Sequence, residues 1–577
     1  MGKRGPSTKA HEAARRTPYD GAGLKDPVSP RKARMNISTI PNAKPEFDAI
    51  VIGAGFAGLY ALHKLRNEQG LKVQAFDKAS DVGGTWYWNR YPGALSDTET
   101  QVYCYSFDKE LLQEWDFDTS YINQPRILSY LNHVADRFDL RRSITFSTGI
   151  SGAHFDEAQG LWVVRTDQGA THTARFLITA VGLLSVINYP NIPGRERFKG
   201  ELYHTGAFPR DVSYAGKRVG VIGTGSTGLQ VNTAIAPHVG HLTVFQRSPQ
   251  YSVPVGNRPL SRERVAEIKR DYDRIWEHVY SSMTGFAFTE SKVATFSVSA
   301  EEREAVFERA WQQGGGFNFM FGTFNDIAVD ADANEAAASF IRRKIAQIVK
   351  DPETARKLTP TDFYARRPLC DSGYYEIFNQ SNVNLVDCKA TPIEAIVPEG
   401  IRTADGKVHE LDMIIFATGF DAVDGNYKVM DLRGRDGVAM KEHWKDGATG
   451  FMGTMTAGFP NMFMVLGPHG PFSNLPPAIE MQVEMIADVV AKATREKLAT
   501  VEISSEAESA WVAHCDELAA GSLFSKVDSW IFGANIPGKK HTLVFYFGGV
   551  GQFRKETAEL AHKNYPGFIT RELVETP

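Results

Sequence analysis

Residues 47–58 read Phe47-Asp48-Ala49-Ile50-Val51-Ile52-Gly53-Ala54-Gly55-Phe56-Ala57-Gly58, a short apolar run that breaks directly into three spaced glycines. The run has the length and apolarity of a buried strand, and a helical segment from Leu59 to Glu68 follows it. Each glycine has its own task. Gly53 permits a tight turn, Gly55 lets the backbone approach a diphosphate, and Gly58 lets the helix pack close to the strand. The helix N-terminus then offers unpaired N–H groups and a partial positive charge to phosphates. Gly70 stops the helix, and Lys72 to Phe76 reads as a second strand. Asp77 at its tip, 24 residues after Gly53, is placed to accept hydrogen bonds from an adenosine ribose. The expected fold class is therefore α/β.

The arrangement recurs. Arg218-Val219-Gly220-Val221-Ile222 leads into Gly223-Thr224-Gly225-Ser226-Thr227-Gly228 and a helix from Leu229. The next strand, His241 to Phe245, ends in Gln246-Arg247, so a guanidinium stands 24 residues after the first glycine. An acid there would repel a 2′-phosphate, whereas arginine grips one bidentately. The first loop is expected to bind FAD and the second NADPH. One such glycine pattern is weak evidence, but two, each framed by strand and helix, are specific.

A chain of 577 residues exceeds what a single core fills, and 42% hydrophobic with 11% aromatic residues supply ample interior. The formal net charge of -4 argues against nucleic acid as a partner, but the charge is unevenly spread. Residues 1–44 carry +7 and the remainder -11. That arm holds Tyr19 as its sole aromatic and is expected to be disordered. No stretch reaches the roughly 18 apolar residues of a membrane helix. Arg15-Arg16 is not followed by the apolar run of an export signal, so a cytoplasmic protein is expected. Cys104, Cys370, Cys388 and Cys515 are scattered without a CxxC pair, as in a reducing compartment. No metal site is expected.

Phe176 to Gly182 and Met413 to Gly419 are apolar strands ending in small-residue turns. Each follows a hairpin-like stretch, Trp162-Val163-Val164 and Gly400-Ile401-Arg402. Residues 259–350 carry helical periodicity and many charges, the pattern of a helical insertion. The expected organisation is a basic arm (1–44), the first part of a FAD domain (45–186), an NADP domain with that insertion (187–420), and completion of the FAD domain with a substrate pocket (421–577).

With no thiol pair for disulfide chemistry, hydride transfer to flavin and then reaction with O2 is the economical scheme. Three stretches sharpen it. Phe198-Lys199-Gly200 to His204, ending at Phe208-Pro209, resembles the FxGxxxHxxxW fingerprint of type I Baeyer–Villiger monooxygenases, with Phe208 in place of Trp. Gly83-Gly84-Thr85-Trp86 through Tyr91-Pro92-Gly93 to Asp97 is similar to the longer GGxWxxxxYPGxxxD signature of that family. Asp362 to Pro368, with Arg366-Arg367, resembles the segment where a basic residue meets the 2′-phosphate and the next arginine is catalytic. Read alone, an Arg-Arg pair in a turn is more often solvated surface charge. The match runs from about Phe47 to the C-terminal region. The related N-hydroxylating and flavin-containing monooxygenases also carry FxGxxxH motifs that lack this Trp, so N- or S-oxygenation is the alternative.

The resemblance implies Baeyer–Villiger oxidation of a ketone to an ester or lactone through a C4a-peroxyflavin, with Arg367 and Asp97 catalytic. It places Phe56, Gly84, Thr85, Trp86, Tyr91, Asp97, Tyr103, Gln124 and Trp530 against the cofactors. Gly223, Thr224, Gly225, Ser226, Thr227, Arg247 and Arg366 would hold NADPH. Trp530 read alone is a core aromatic. His204 is a satisfied structural histidine or a coupler of cofactor binding to domain position. The loop Gly467 to Asn474, with Phe472 and Asn474, would line an apolar pocket for a cyclic or polycyclic ketone. O2 is the co-substrate, and the oligomeric state is left open between monomer and weak dimer.

Overall fold

The computed structural model describes residues 44–572, so the basic arm lies outside the described residues except for Lys44. The first glycine loop sits on an eight-stranded sheet. Phe47–Ile52 pairs in parallel with Val73–Phe76 on one side and with Thr171–Thr179 on the other. The nine-residue strand Thr171–Thr179 serves two neighbours along its other edge. Its first half pairs antiparallel with Leu161–Thr166, and its second half pairs parallel with Met462–Met464. Residues Phe176 to Thr179 are buried continuously, as a strand covered on both faces requires.

The second loop lies on a five-stranded, wholly parallel sheet. Its order is Glu201–His204, Met413–Phe416, Arg218–Ile222, His241–Gln246, Val383–Asp387. Both sheets belong to Rossmann-type units, and the two turns are near copies of each other. Gly53 has φ +109° and Gly223 φ +111°, a region open to glycine. A Cβ on either would lie 2.4 Å from a carbonyl oxygen, of Ala180 or of Ala417. A Cβ on Gly58 would lie 1.9 Å from the Gly53 carbonyl oxygen, and one on Gly228 would lie 2.2 Å from that of Gly223. Those contacts leave no alternative residue.

Each unit carries an antiparallel insertion before its closing strand, within the sheet in the first and as a separate three-stranded sheet in the second. In the first it is Ile150–Asp156 with Leu161–Thr166, and in the second Ile393–Val397, Gly400–Thr403 and Val408–Glu410. Between His241–Gln246 and Val383–Asp387 run the helices Arg262–Arg270, Tyr272–Ser281, Ala300–Gln313, Ala331–Ile348 and Pro352–Leu358. Ser299 and Glu302 form a capping box that starts the third of these. The two strands that cross between the sheets, Val186–Ile187 and Phe420–Asp421, pair antiparallel with each other. The 21-residue helix Leu475–Arg495 packs against the first dinucleotide helix, Phe56–Leu62.

Candidate active site

The two glycine loops differ in what stands before them. A Cβ at Gly225 would meet no protein atom within 4 Å, and one at Gly55 would meet Gly84 Cα at 3.2 Å. The second loop therefore faces free space and the first lies against Gly84, each with helix N–H groups behind it that fit a diphosphate. Ser226 and Thr227 open the second helix, and Thr224 is fastened to the Ser248 carbonyl at 3.1 Å. Asp77 is buried, and its carboxylate accepts from Ala54 N at 2.6 Å and Ala79 N at 2.7 Å. Burial pushes its pKa up against those two bonds. It clamps the loop directly, while each oxygen retains capacity for a ribose hydroxyl.

The segment after the first loop folds back beside it. Gly84 takes φ +51°, and a Cβ there would come within 2.8 Å of Gly55 Cα, so the two backbones touch. Thr85 and Trp86 begin the helical turn Thr85–Trp88. Trp86 Nε1 donates to the Tyr103 hydroxyl at 3.1 Å, and the two rings meet edge to face. Tyr103 lies edge-on to Phe56 at 5.5 Å. Gln124 is buried and its amide donates to the Trp86 carbonyl at 2.5 Å.

Arg367 and Asp97 meet as a two-point ion pair. Arg367 Nη2 donates to Asp97 Oδ1 at 2.9 Å, and Nη1 donates to Oδ2. Burial works against the guanidinium charge, but Asp97 prevails and holds its pKa above the ordinary value. The same burial pushes the Tyr91 hydroxyl up to about 12 and raises Tyr103 as well, so both stay neutral. The guanidinium carbon lies 5.4 Å from the centre of the Phe317 ring. Phe317 stacks on Phe286 at 4.5 Å and tilts toward Phe472 at 6.3 Å. Phe472 in turn stacks on Phe547 at 5.3 Å. An aromatic run thus leads from the cation into the loop expected to line the pocket.

Asn474 has a structural task in the same loop. It is buried, and its amide is spent on the Val102 and Gly285 carbonyls at 2.9 and 3.0 Å. That end braces the loop, while Asn474 Oδ1 is buried without a hydrogen-bond partner among the described residues. Phe317 and Phe286 were not singled out from sequence. Phe317, Phe319 and Phe321 alternate as in a strand although Asn318–Gly322 is helical, so periodicity gives no pointer to the site.

Arg247 is exposed and forms no ion pair among the described residues, which leaves its guanidinium available for a phosphate. Arg366 is engaged: it pairs with Asp362 at 2.5 Å, and its Nε donates to the Asp528 carbonyl at 2.9 Å. Asp528 lies two residues before Trp530, whose ring sits edge-on to Phe545 at 5.7 Å. His204 is buried and accepts at Nδ1 from Gly206 N at 3.0 Å, leaving the proton on Nε2, 3.3 Å from Thr418 Oγ1. Burial lowers its pKa to about 4, so it is neutral at physiological pH. It stands beside the paired crossing strands, with Phe420 at 5.9 Å. Phe208 is buried against Tyr203. The four cysteines are free and pushed up by burial. No helix of the described residues is long and apolar enough to cross a membrane, and no cluster of metal ligands occurs among them.

Two dinucleotide cradles in one chain, with a half-buried cation held by a carboxylate and no dithiol, fit an oxidoreductase that works through nucleotide cofactors. A family model described as flavin-binding monooxygenase-like matches residues 48–252. A Baeyer–Villiger monooxygenase of Pseudooceanicola batsensis is 57% identical over 544 residues, 94% of this chain and 100% of that protein. A phenazine N-monooxygenase of Lysobacter antibioticus is 55% identical over 530 residues, 92% of this chain and 98% of that protein. The crystal structure of cyclohexanone monooxygenase from Rhodococcus sp. Phi1 bound to NADP+ matches with a TM-score of 0.91 at 57% identity, covering 91% of this chain and 99% of that one. The chain belongs to the flavin-binding monooxygenases, in the Baeyer–Villiger monooxygenase family.

Proposed function

We propose that this chain oxidises a hydrophobic cyclic or polycyclic ketone to the ester or lactone, with FAD in the first cradle and NADPH in the second. One ketone, O2, NADPH and a proton give the oxygen-inserted product, NADP+ and water. Bound FAD, once reduced by NADPH, supplies the O2-derived oxygen. The observation that carries the reading is the Arg367–Asp97 pair beside Phe317.

Arg367 is the charge-stabilising group. Negative charge develops on oxygen during insertion, and a fixed donor in a water-poor site is worth about 3 kcal/mol to such a transition state. Asp97 holds the guanidinium in one orientation, so little reorganisation is needed as the charge appears. Phe317, Phe286 and Phe472 supply the apolar wall that excludes water. Arg247 recognises the 2′-phosphate, Arg366 joins it by exchanging its Asp362 partner, and Trp530 and Gln124 border the cofactors.

Heteroatom oxygenation is the competing reading, favoured by Phe208 and by the likeness to a phenazine N-monooxygenase. A heteroatom leaves no oxyanion on the substrate for a cation to stabilise, and the Arg367–Asp97 pair therefore favours the ketone. The test is NADPH consumption against a panel of ketones, amines and sulfides, with products weighed for one added oxygen. Turnover of cyclic ketones to lactones is expected. Products from heteroatom substrates alone would reverse the assignment, and turnover confined to small acyclic ketones would remove the substrate class.

A further inference from the structure

The Tyr91-Pro92-Gly93 turn is seated on the helix that follows the second glycine loop, Ser226–Ile235. Gly93 has φ +82°, and a Cβ on it would lie 2.7 Å from the Gln230 carbonyl oxygen and 2.8 Å from Ala234 Cβ. The side chain of Gln230 joins the same two segments at both ends of its amide. Its Oε1 accepts from the Tyr91 hydroxyl at 2.8 Å, beside Thr227, and its Nε2 donates to the Leu95 carbonyl at 2.9 Å. Leu95 opens the strand Leu95–Glu99, where Asp97 shares its face by the two-residue repeat. The helix also packs against Leu369–Asp371, the strand just after Arg367. One helix therefore touches both segments that carry the ion pair, and its N-terminus is the second cradle.

We infer that Gln230 is a positioning residue that couples occupancy of the second cradle to the Asp97–Arg367 pair, through its clamp on Tyr91 and Leu95. This rests on the reading that the second loop takes NADP(H). A diphosphate fixes the first turn of the helix through its free N–H groups. Gln230 sits one turn further along, about 5.4 Å. Two hydrogen bonds and a backbone contact then pass the position of that helix to the strand of Asp97. A carboxamide meets the requirement because one end accepts and the other donates. Coupling of this kind is a difference in binding free energy between two states of the pair, and it is reciprocal.

Gln230→Met removes both hydrogen bonds at nearly constant length, and Gln230→Glu keeps the acceptor for Tyr91 while losing the donor to Leu95. The first readout, on the FAD-loaded enzyme, is hydrogen–deuterium exchange of residues 91–99 with and without NADP+. NADP+ is expected to slow exchange there in the unaltered chain. In Gln230→Met that slowing is lost although NADP+ still binds within about threefold of the unaltered affinity, and Gln230→Glu is intermediate. The second readout is the share of NADPH oxidised without product, released as H2O2, which rises several-fold in Gln230→Met. Equal protection of 91–99 by NADP+ in the Met variant overturns the proposal, as does NADP+ binding that leaves 91–99 unprotected in the unaltered chain. Tyr91→Phe, which cuts one arm of the clamp, gives partial loss and serves if Gln230→Met does not fold. Failure of Arg247→Ala to weaken NADP+ binding would instead remove the assignment of the second loop.

Discussion

The carboxylate of Asp97 takes both terminal nitrogens of Arg367 across 270 residues of chain. The pair fixes a cation in an aromatic surround, in the orientation that a planar fork allows and an ammonium does not. Arg367→Ala is expected to leave reduction of FAD by NADPH largely intact and to lower ketone oxygenation by about 10²- to 10³-fold, the scale of one lost oxyanion donor. Stopped-flow reduction and product quantification on the same variant check it. Lactone formation at the original rate would sink the role given to Arg367.

Arg247 is exposed and in no ion pair among the described residues, and the proposed function gives it the 2′-phosphate. A charge-assisted hydrogen bond is worth about 1.5–3 kcal/mol. Arg247→Ala should therefore lower kcat/KM for NADPH by about 10- to 100-fold and leave NADH nearly unchanged. An equal loss with both cofactors would show that the residue does not read the 2′-phosphate.

The glycines separate folding from binding. A Cβ at Gly58 would lie 1.9 Å from the Gly53 carbonyl oxygen, whereas one at Gly225 meets nothing within 4 Å. Gly58→Ala is expected to give a colourless, destabilised protein. Gly225→Ala should remain folded and yellow, with NADPH binding weakened because the methyl occupies the approach of the diphosphate. Absorbance of the bound flavin, the Tm and an NADP+ titration distinguish the two. Unaltered NADP+ affinity in Gly225→Ala would mean that the loop is not the cradle.

Glu480 makes stability depend on pH. It is buried on the helix Leu475–Arg495 and accepts from Ser106 N at 2.7 Å, from Phe107 N at 3.3 Å, and from the Ser106 and Tyr280 hydroxyls. Burial pushes its pKa up from 4.5 to about 7 against those bonds, with Glu484 adding repulsion. The folded state thus holds a proton that the unfolded state releases. The contribution is complete below pH 4.5 and is lost as pH rises through 7, of order 3 kcal/mol in all. Denaturant midpoints measured from pH 5 to 8 should fall for the unaltered chain relative to Glu480→Gln, which cannot titrate. Parallel curves would refute the assignment.

Local chemistry made much of the fold readable in one dimension. The glycine spacings at 53–58 and 223–228, the Asp77 and Arg247 tips, and the apolar strands ending at Gly182 and Gly419 all act within a βαβ unit, where steric limits bind neighbours in sequence. They determined two Rossmann units and the order of the two cradles as expectations, and Gly83 to Asp97 together with Arg366-Arg367 pointed to the family. Tertiary structure alone decided what those residues meet. Asp97 and Arg367 are joined only because separate segments converge, and Phe317 reaches them from the helices between two strands of the second sheet. Asn474 became a brace because Val102 and Gly285 offer carbonyls to its amide, a fact no spacing encodes. Gln230 looked like an ordinary helix residue until the fold brought Tyr91 and Leu95 to its two ends. Contacts between distant segments depend on packing geometry rather than periodicity, and that is where the sequence by itself stops.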